Sequence, residues 1–504
     1  MIPGWSEGPG IAKATLEFRV RAPRNDSLWT TAIAARPDPA TPKCFRLRID
    51  GEISESGAQE ATGAGNVARA RVTASAKGEN YMKICSSPRS LLLAGAFIGV
   101  FTWTAAAQQP ASPPAAAAPA AAPALPPGSP LIGRPDSEAA AKLAPVASPP
   151  LPTAADKLPL AKLKVAAGFN IEVYAAGMAN ARSLAVGDKG TVFVGSRLVD
   201  KVYAIVNKDG KRTVKVLASG LYRPNGVAFK NGTLYIAELS KVSKIDKVED
   251  NLDASPKLTM IYDNLPKDEA HGWKFIAIGP DNKLYVPVGQ PGNNVLHDDA
   301  HGQIRRMNLD GSGAEVIARG VRNTVGFDWN PETKQLYFTD NGRDWMSEDV
   351  PEDELNRITK VGEHFGAPYC LQGNIVDPEF GWGKSCSDYT APVGLLGPHS
   401  AALGMRFYTG NMFPKAYKNA IIVARHGSWN RSKKVGGDVL VVKLNKDGTV
   451  KSTEPFITGF LENNSYIGRP VDVMQMKDGS LLVSDDWNGA VYRVTYGKPK
   501  VAAQ

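Results

Sequence analysis

The chain has 504 residues, of which 43% are hydrophobic and 22% charged, and its 59 basic and 50 acidic residues give a net charge of +9. This ordinary composition argues against a wholly disordered chain and against a polytopic membrane protein. Four cysteines are too few for a scaffold built from disulfides. The Lys and Arg residues form no patch of the kind that binds nucleic acid, so we expect no such partner. Length alone predicts about three domains.

A segment that begins 81 residues into the chain has the pattern of a secretory signal. Basic Lys83 and Arg89 precede an apolar run of about thirteen residues, 91–103, and Ala105-Ala106-Ala107 ends it. The run is shorter than the ~20 residues that span a bilayer, so we expect no stable membrane insertion. Residues 82–107 are therefore predicted to be a signal peptide, and the protein to be periplasmic or secreted.

The residues on either side of this signal complete the predicted domain organisation. Because a secretory signal acts at the start of a chain, we expect translation to begin at Met82, which makes residues 1–81 a spurious or disordered extension. Residues 108–158 are rich in Pro and Ala and are predicted to form a linker. One globular unit remains, over residues 159–498.

One pattern occurs six times in this unit: a short apolar strand, a polar turn and a second apolar strand. Asn-Gly and Asp-Gly turns between such strands are a strong signal for hairpins. The predicted pairs are 184–186 with 191–194, 227–229 with 233–237, 275–278 with 284–288, 325–329 with 336–339, 404–408 with 420–424, and 471–476 with 481–484. A sixfold repeat of one hairpin predicts an all-β fold, a six-bladed β-propeller, whereas a β-sandwich would not require it.

In a propeller, the start of each first strand and the end of each second strand lie at the same rim. Polar rims are common because loops are solvated, but this set is rich in Arg, His and Asp. It therefore predicts a ligand site at one end of the channel. The residues at these positions are Arg182, Asn225, Glu238, His271, Gln290, Arg322, Asn323, 340–343, Arg425, His426, Arg469, Asp485 and Asp486.

Two of these positions suit catalysis. His271 can accept a proton at neutral pH and is the candidate general base; the alternative is a solvated loop histidine. Arg322 with Asn323 places a cation beside an amide, which suits stabilisation of negative charge; the alternative is a rim salt bridge.

Three further stretches contain residues that suit a metal ion, an anion or a disulfide. Residues 339–344, followed by 352–354, have the carboxylate and carbonyl density of a calcium loop without the EF-hand spacing, and ordinary exposed acidic loops have the same composition. Residues 426–431 combine His, Trp and Arg and could bind a planar anion. Cys370 and Cys386 are the two thiols of the globular unit and are predicted to form a disulfide.

Together these stretches resemble the soluble family of sugar dehydrogenases that depend on pyrroloquinoline quinone (PQQ), in particular its sorbosone dehydrogenase-like branch. The resemblance covers nearly all of residues 165–495. The stretches that carry it are Arg223-Pro224-Asn225-Gly226, His271-Gly272-Trp273-Lys274, Gly279-Pro280-Asp281, Gly320-Val321-Arg322-Asn323, Thr339-Asp340-Asn341-Gly342 and 426–431.

The resemblance implies two catalytic roles and a metal site. His271 would take the proton from the substrate hydroxyl while hydride passes to PQQ, and Arg322 would steady the resulting oxyanion. The backbone carbonyls of Gly342 and Arg343 would bind calcium.

It also implies a set of cofactor contacts. Asn323 and Arg469 would bind PQQ, and Asn225 stands where the glucose enzymes have a glutamine. Their cofactor lysine would be replaced by Arg425, His426 or Arg431.

The sequence departs from the glucose enzymes at two of these places. Ala270 stands where they have an Asp before the catalytic His, and Val471 replaces a second cofactor arginine. We therefore expect a calcium- and PQQ-dependent dehydrogenase of a sugar or related alcohol or aldehyde, with a soluble cytochrome or quinone as electron acceptor. The alternatives are a noncatalytic propeller that binds a carbohydrate or a partner protein, and a calcium-dependent propeller lactonase.

Overall fold

Six antiparallel sheets of four or five strands follow one another along residues 164–496. The computed structural model describes residues 125–126, 128–253 and 256–497, together with the backbone of four strands nearer the N-terminus. The chain divides into two units, Met1–Ala118 and Pro119–Gln504, and the six sheets lie in the second.

Each sheet is one blade, with the four principal strands in sequence order from the channel outward in blades 1 to 5. Blade 1 contains Ala181–Val186, Val192–Ser196, Val202–Lys208 and Lys211–Ala218. Blade 2 contains Gly226–Lys230, Thr233–Ala237, Val242–Ile245 and Thr259–Tyr262. Blade 3 contains Ala277–Ile278, Leu284–Val288, Gln303–Met307, Glu315–Arg319 and the added strand Glu363–His364.

Blade 4 contains Gly326–Trp329, Leu336–Asp340, Glu352–Ile358 and Gly394–Pro398. Blade 5 contains Ala402–Phe407, Ile421–Arg425, Asp438–Leu444, Val450–Thr458 and the added strand Lys164–Val165. Blade 6 contains Pro470–Gln475, Leu481–Asp485 and Ala490–Tyr496, and its outer strand is Phe169–Ala176.

The last blade closes the ring. Its outer strand, Phe169–Ala176, precedes blade 1 in the chain and pairs with Ala490–Tyr496 near the C-terminal end of the unit. Pairing the two ends of a repeat array removes the exposed edges that it would otherwise have. The prediction of an all-β fold with six propeller blades is confirmed.

Apolar side chains fill the space between neighbouring blades. Between blades 1 and 2, for example, Phe193 and Ile236 are fully buried, and Phe193 stacks against the Phe229 ring at 5.8 Å between centroids. Burying a side chain of this size contributes roughly 1.5–3 kcal/mol. The predicted hairpins pair as expected, except that the first strand of blade 3 begins at Ala277 and not at Phe275.

Short elements connect the blades. The helix Glu138–Ala141 is capped by the Ser137 side chain. The remaining elements are the 3₁₀ turns Ala155–Lys157, Leu160–Lys162, Val248–Asp250, Cys386–Asp388 and Lys415–Tyr417, and the small hairpins Cys370–Leu371 with Ile375–Val376 and Leu461–Glu462 with Ser465–Tyr466. Over the residues that the structure describes, no helix has the length and apolar character needed to cross a membrane.

The predicted disulfide is present. Cys370 and Cys386 are bonded, with their Cα atoms 5.4 Å apart. The bond lies in the segment that connects the third strand of blade 4 to its outer strand. The loop that it closes carries Asp377, which pairs with Arg343 beside the candidate site described below.

The second half of the predicted linker packs onto the propeller. Trp345 Nε1 donates to the Pro130 carbonyl at 2.8 Å, and the backbone N–H of Thr153 donates to the Asn488 carbonyl at 2.9 Å. We call residues 128–148 the strap. Composition predicted a tether here, but the proline-rich backbone leaves carbonyl groups free to accept bonds from the rim, so the strap joins the fold.

Four strands lie in the N-terminal unit, where the sequence analysis predicted a spurious or disordered extension. They form one antiparallel sheet in the order first, second, fourth, third: Ala35–Pro37, Cys44–Ile49, Arg69–Ala74 and Asn80–Cys85. The sequence analysis missed a period-2 pattern here, since Phe45, Leu47 and Ile49 alternate with arginines. Of the predicted signal peptide, residues 86–107 lie outside the described residues. Its cleavage and translation from Met82 stay predictions.

Candidate active site

The rim that carries the starts of the first strands surrounds a cavity of about 450 Å³. Side chains from several blades and from the strap form its wall. The lining residues include His271 and Trp273 from the approach to blade 3, Arg322, Asn323 and Gly342 around blade 4, His426 after the second strand of blade 5, Arg469 before blade 6, Arg182 and Arg197 in blade 1, and Val146 in the strap.

His271 is held in a defined tautomer. Its Nδ1 lies 3.1 Å from the Gln290 carbonyl and therefore donates to it, which leaves Nε2 as an acceptor. Burial, and next the positive charge of Arg322, lower the pKa of His271 well below its ordinary value. The imidazole is thus neutral at pH 7 and able to take a proton.

The backbone around His271 is irregular, which explains why blade 3 begins late. His271 has a φ of 48°, in the left-handed region. Lys274 is fully buried and donates to the Gly272 carbonyl, and its own carbonyl accepts from Asn225 Nδ2 at 2.9 Å. These bonds brace the turn that presents His271.

Gly289 provides the room for this turn. A Cβ at Gly289 would lie 2.5 Å from the His271 Cβ and 2.9 Å from the Arg322 carbonyl oxygen. Only glycine fits between two groups this close.

Arg322 is fixed by four bonds to its surroundings. Its guanidinium donates to Asp344 Oδ2 at 2.8 Å and to the Asn341 carbonyl at 3.0 Å, and two further bonds reach Asn293. The backbone N–H groups of Arg322 and Asn323 both donate to Asp340, at 2.8 and 2.6 Å. Burial raises the pKa of Asp340 to about 6 in spite of these bonds.

The backbone of one residue, Gln290, joins the two predicted catalytic residues. The Gln290 N–H donates to the Arg322 carbonyl at 2.9 Å, while the Gln290 carbonyl accepts from His271. Blades 3 and 4 therefore set the relative position of the base and the cation through a rigid backbone link.

A buried charge network forms the wall on the side of blades 5, 6 and 1. Asp486 accepts from His426 Nε2 at 2.8 Å and from Arg182 at 2.6 Å. Burial, and next the charge of Arg469, lower the pKa of His426 to about 3, so His426 is neutral and its N–H faces the carboxylate. Arg469 donates to the His426 and Gly427 carbonyls and to Val146 of the strap.

Asn225 is in the same network without lining the cavity. Its Oδ1 accepts from Arg182 Nε at 2.8 Å, and it is 1% exposed. The structure thus places Asn225 behind Arg182, where it positions that arginine.

Of the two predicted calcium ligands, Gly342 lines the cavity and Arg343 follows it in the chain. The Gly342 N–H donates to Asp353 at 3.0 Å, and the Arg343 side chain pairs with Asp377 at 2.6 Å. Among the described residues, neither the Gly342 nor the Arg343 carbonyl accepts a hydrogen bond. In the same part of the chain no group of three or more His, Cys, Asp or Glu side chains is arranged to hold a metal. A cation here would thus rely on carbonyl oxygens.

Besides Asn225, two predicted cofactor residues do not line the cavity. Arg425 is paired with Asp438 on the neighbouring strand at 2.7 Å, and Arg431 is paired with Asp349 at 2.9 Å. Neither lines the cavity. Both belong to sequence stretches that end at the rim, but an acidic neighbour draws each guanidinium aside. Of the three candidates for the lysine position, only His426 lies in the wall.

Sequence reasoning missed Arg197, Trp273 and the strap as parts of this site. Arg197 directly follows the second strand of blade 1, Val192–Ser196, so the positional rule that found His426 and Asp486 would have found it. Trp273 was quoted only as a neighbour of His271, whereas Trp429 belongs to the stretch 426–431 that was predicted to bind a planar anion, and it lines the cavity. Nothing in the Pro- and Ala-rich composition of the strap indicates its contacts.

A six-bladed propeller with a neutral histidine and a hydrogen-bonded arginine in a cavity lined by four arginines has the features of a propeller enzyme. The model of the glucose / sorbosone dehydrogenase family matches residues 235–493, so the chain belongs to that family and is an oxidoreductase. A protein of Borreliella burgdorferi of uncharacterised function is 34% identical over 351 residues, which are 67% of this chain and 91% of that one.

Shorter matches have more specific names. Quinoprotein glucose dehydrogenase B of Acinetobacter calcoaceticus is 29% identical over 147 residues, 22% of this chain and 29% of that one. An aldose sugar dehydrogenase of Escherichia coli is 28% identical over 194 residues, 36% and 46% of the two chains. In structure, the PQQ domain of a pyranose dehydrogenase from Coprinopsis cinerea matches with a TM-score of 0.56 at 19% identity, over 66% of this chain and 97% of that one. At that identity the likeness shows the fold.

Proposed function

We propose that this protein oxidises a sugar or a related alcohol or aldehyde by transferring hydride to calcium-bound PQQ. The observation that carries the proposal is the backbone of Gln290, whose N–H and carbonyl link Arg322 and the neutral base His271 at the cavity. The printed names of the relatives, a quinoprotein glucose dehydrogenase and an aldose sugar dehydrogenase, support it.

The cavity fits PQQ, a planar group with three carboxylates. Its wall contains four arginines, and only part of their charge is met by carboxylates within it. Asn323, His426 and Arg469 are the residues that would hold PQQ. When bound, PQQ supplies a quinone that accepts hydride from the substrate carbon.

The carbonyls of Gly342 and Arg343 fit calcium, which prefers oxygen ligands and accepts backbone carbonyls. The Arg343–Asp377 pair anchors this backbone to the loop closed by the disulfide. A cation there would add positive charge next to Arg322.

In the proposed reaction His271 Nε2 removes the hydroxyl proton of the substrate. The Nδ1 bond to Gln290 holds the ring in the tautomer that can accept at Nε2, and the lowered pKa keeps it unprotonated before substrate binds. Arg322, held by Asp344 and two carbonyls, stabilises negative charge without having to move.

The proposal also includes a cellular location and an electron acceptor. The disulfide and the signal-like segment 82–107 favour the periplasm or secretion. A soluble cytochrome or quinone would collect the electrons, and the sorbosone-like stretches favour an aldehyde sugar as substrate.

The test is reconstitution of the protein with PQQ and calcium, followed by dye reduction over a panel of sugars. We expect PQQ to bind and at least one sugar to reduce the dye. His271→Ala should abolish turnover while PQQ affinity changes by only a few-fold. His426→Ala is the matched control, since His426 faces Asp486 and should affect cofactor affinity more than the proton transfer.

Each alternative function has its own signature in this experiment. Sugar binding without dye reduction would favour a noncatalytic propeller. Calcium-dependent lactone hydrolysis without PQQ would favour a lactonase, and full turnover by His271→Ala would remove that residue from the mechanism.

A further inference from the structure

Arg197 brings into the cavity a positive charge that has no direct ion-pair partner among the described residues. Its guanidinium carbon lies 3.7 Å from the centre of the Trp273 ring. Among the described residues it has no salt-bridge partner, and its buried Nε has no hydrogen-bond partner. The other cavity arginines that were described above are all engaged with carboxylates or carbonyls.

The turn that carries Arg197 is well defined. The backbone N–H groups of Arg197 and Leu198 both donate to the Asn180 side-chain oxygen at 2.8 Å. Stacking on Trp273 fixes the plane of the guanidinium. The unpaired guanidinium is therefore held in one orientation by the turn and by the Trp273 ring.

The carboxylates of the cavity wall are already engaged. Glu269 turns toward Arg223 and Tyr222, Asp344 binds Arg322, and Asp353 accepts from Gly342 and Ser400. Ala270, next to the base, contributes no charge. The charge left for a ligand near His271 is positive.

We propose that Arg197 on Trp273 is a subsite for a carboxylate of the substrate, which makes a sugar acid such as a uronate the preferred substrate class. This deepens the proposed function and rests on it. An arginine stacked on an aromatic ring presents its donors in a plane, in the geometry that a carboxylate accepts with two bonds.

The position of Arg197 favours the substrate over the cofactor as the source of this carboxylate. Trp273 carries the Arg197 guanidinium on its ring, and its ring centre lies 6.4 Å from that of His271. A carboxylate bound at Arg197 therefore has Trp273 as a neighbour, as the catalytic base does. Of the residues that would serve the cofactor, Arg322 and Asn323 belong to blade 4, across the channel from blade 1, whereas Arg469 begins blade 6, beside blade 1; the experiment therefore also measures PQQ affinity.

The experiment compares D-glucuronate with D-glucose. Binding of each to the protein is measured by calorimetry, with and without PQQ and calcium, and kcat/KM is measured by dye reduction. The variants are Arg197→Gln and Arg197→Lys. Arg212→Gln is the matched control, because Arg212 also stacks on an aromatic ring, 4.2 Å from the centre of Tyr174, outside the cavity.

We expect the wild type to bind glucuronate at least tenfold more tightly than glucose. Arg197→Gln should lower the glucuronate-to-glucose ratio of kcat/KM by about ten- to a hundredfold, the usual effect of losing a charged hydrogen bond. Arg197→Lys should recover part of the ratio, and Arg212→Gln should leave it unchanged.

The outcomes separate the two proposals. Equal binding of both sugars by the wild type, or an unchanged ratio in Arg197→Gln, would overturn the subsite. A loss of PQQ affinity in Arg197→Gln with glucuronate binding intact would also overturn it, since the carboxylate would then be that of the cofactor. Glucuronate binding that requires Arg197 in a protein that reduces no dye would support the subsite and refute the proposed dehydrogenase.

Discussion

Gly289→Ala tests the claim that His271 is positioned by close backbone packing. The added Cβ would lie 2.5 Å from the His271 Cβ and 2.9 Å from both the His271 and the Arg322 carbonyl oxygens. Ordinary contacts of this kind begin near 3.4 Å. Backbone on two sides leaves no flexible group to yield, so the His271 turn has to shift by about 1 Å.

A shift of that size is expected to lower kcat about a hundredfold, because a misplacement of about 1 Å can cost this much in a reaction that depends on orientation. Overpacking should also lower the free energy of unfolding by about 1–3 kcal/mol. The assay is dye reduction by the reconstituted protein at saturating sugar, with thermal unfolding measured on the same samples.

Gly279→Ala is the matched control. Its Cβ would meet Asp281, Tyr285 and Trp329 at 2.6–2.9 Å, in the hairpin turn at the far end of the same blade. We expect a loss of stability without a loss of kcat. If Gly289→Ala keeps the kcat of the wild type while it is folded, His271 is not held by this packing and the argument fails.

Three further predictions follow from the same contacts. Burial lowers the pKa of Lys274 to about 7 from its ordinary 10.5, so between these pH values the unfolded chain binds more protons than the folded protein. The free energy of unfolding should therefore rise with pH across that window. Lys274→Met should lose this rise, and unfolding measured from pH 7 to 10 is the test. Changing Cys370 and Cys386 together to Ser should lower the free energy of unfolding by about 3 kcal/mol and weaken calcium binding, because Asp377 anchors Arg343 from the loop that the disulfide closes. Equal calcium affinity in the variant and the wild type would contradict this anchoring role of Asp377. Deleting the strap, residues 128–148, removes the acceptor of Trp345 and should speed acrylamide quenching of tryptophan fluorescence; unchanged quenching would mean that the strap does not cover the rim.

The fold was predictable from the sequence because each hairpin carries its own signal. Turns such as Lys230-Asn231-Gly232 lie between alternating apolar strands, and the register of Gly226–Lys230 with Thr233–Ala237 follows from the turn. The error at Phe275 has a tertiary cause. That residue has the apolar character of a strand, but the buried Lys274 bonds to its own turn and delays the strand until Ala277.

The candidate site was predictable in position and only partly in composition. Strand ends place His271, Arg322, His426 and Arg469 at one rim, and this follows from topology alone. The acidic residue with which each arginine pairs does not follow from topology. Arg425 and Arg431 were predicted to bind the cofactor, yet Asp438 and Asp349 hold them elsewhere.

Local sequence cannot show which cations remain free, since that depends on pairs far apart in the chain. Arg182 is compensated by Asp486, 304 residues away, and Arg322 by Asp344, whereas Arg197 in the same cavity has no such partner among the described residues. Glu269 is close to Ala270 in sequence and could have supplied a charge near the base, but Arg223 and Tyr222 draw it outward. The positive charge available to a ligand thus depends on ion pairs that form only when the six blades close into a ring. This charge is the reason for proposing an acidic substrate over a neutral sugar.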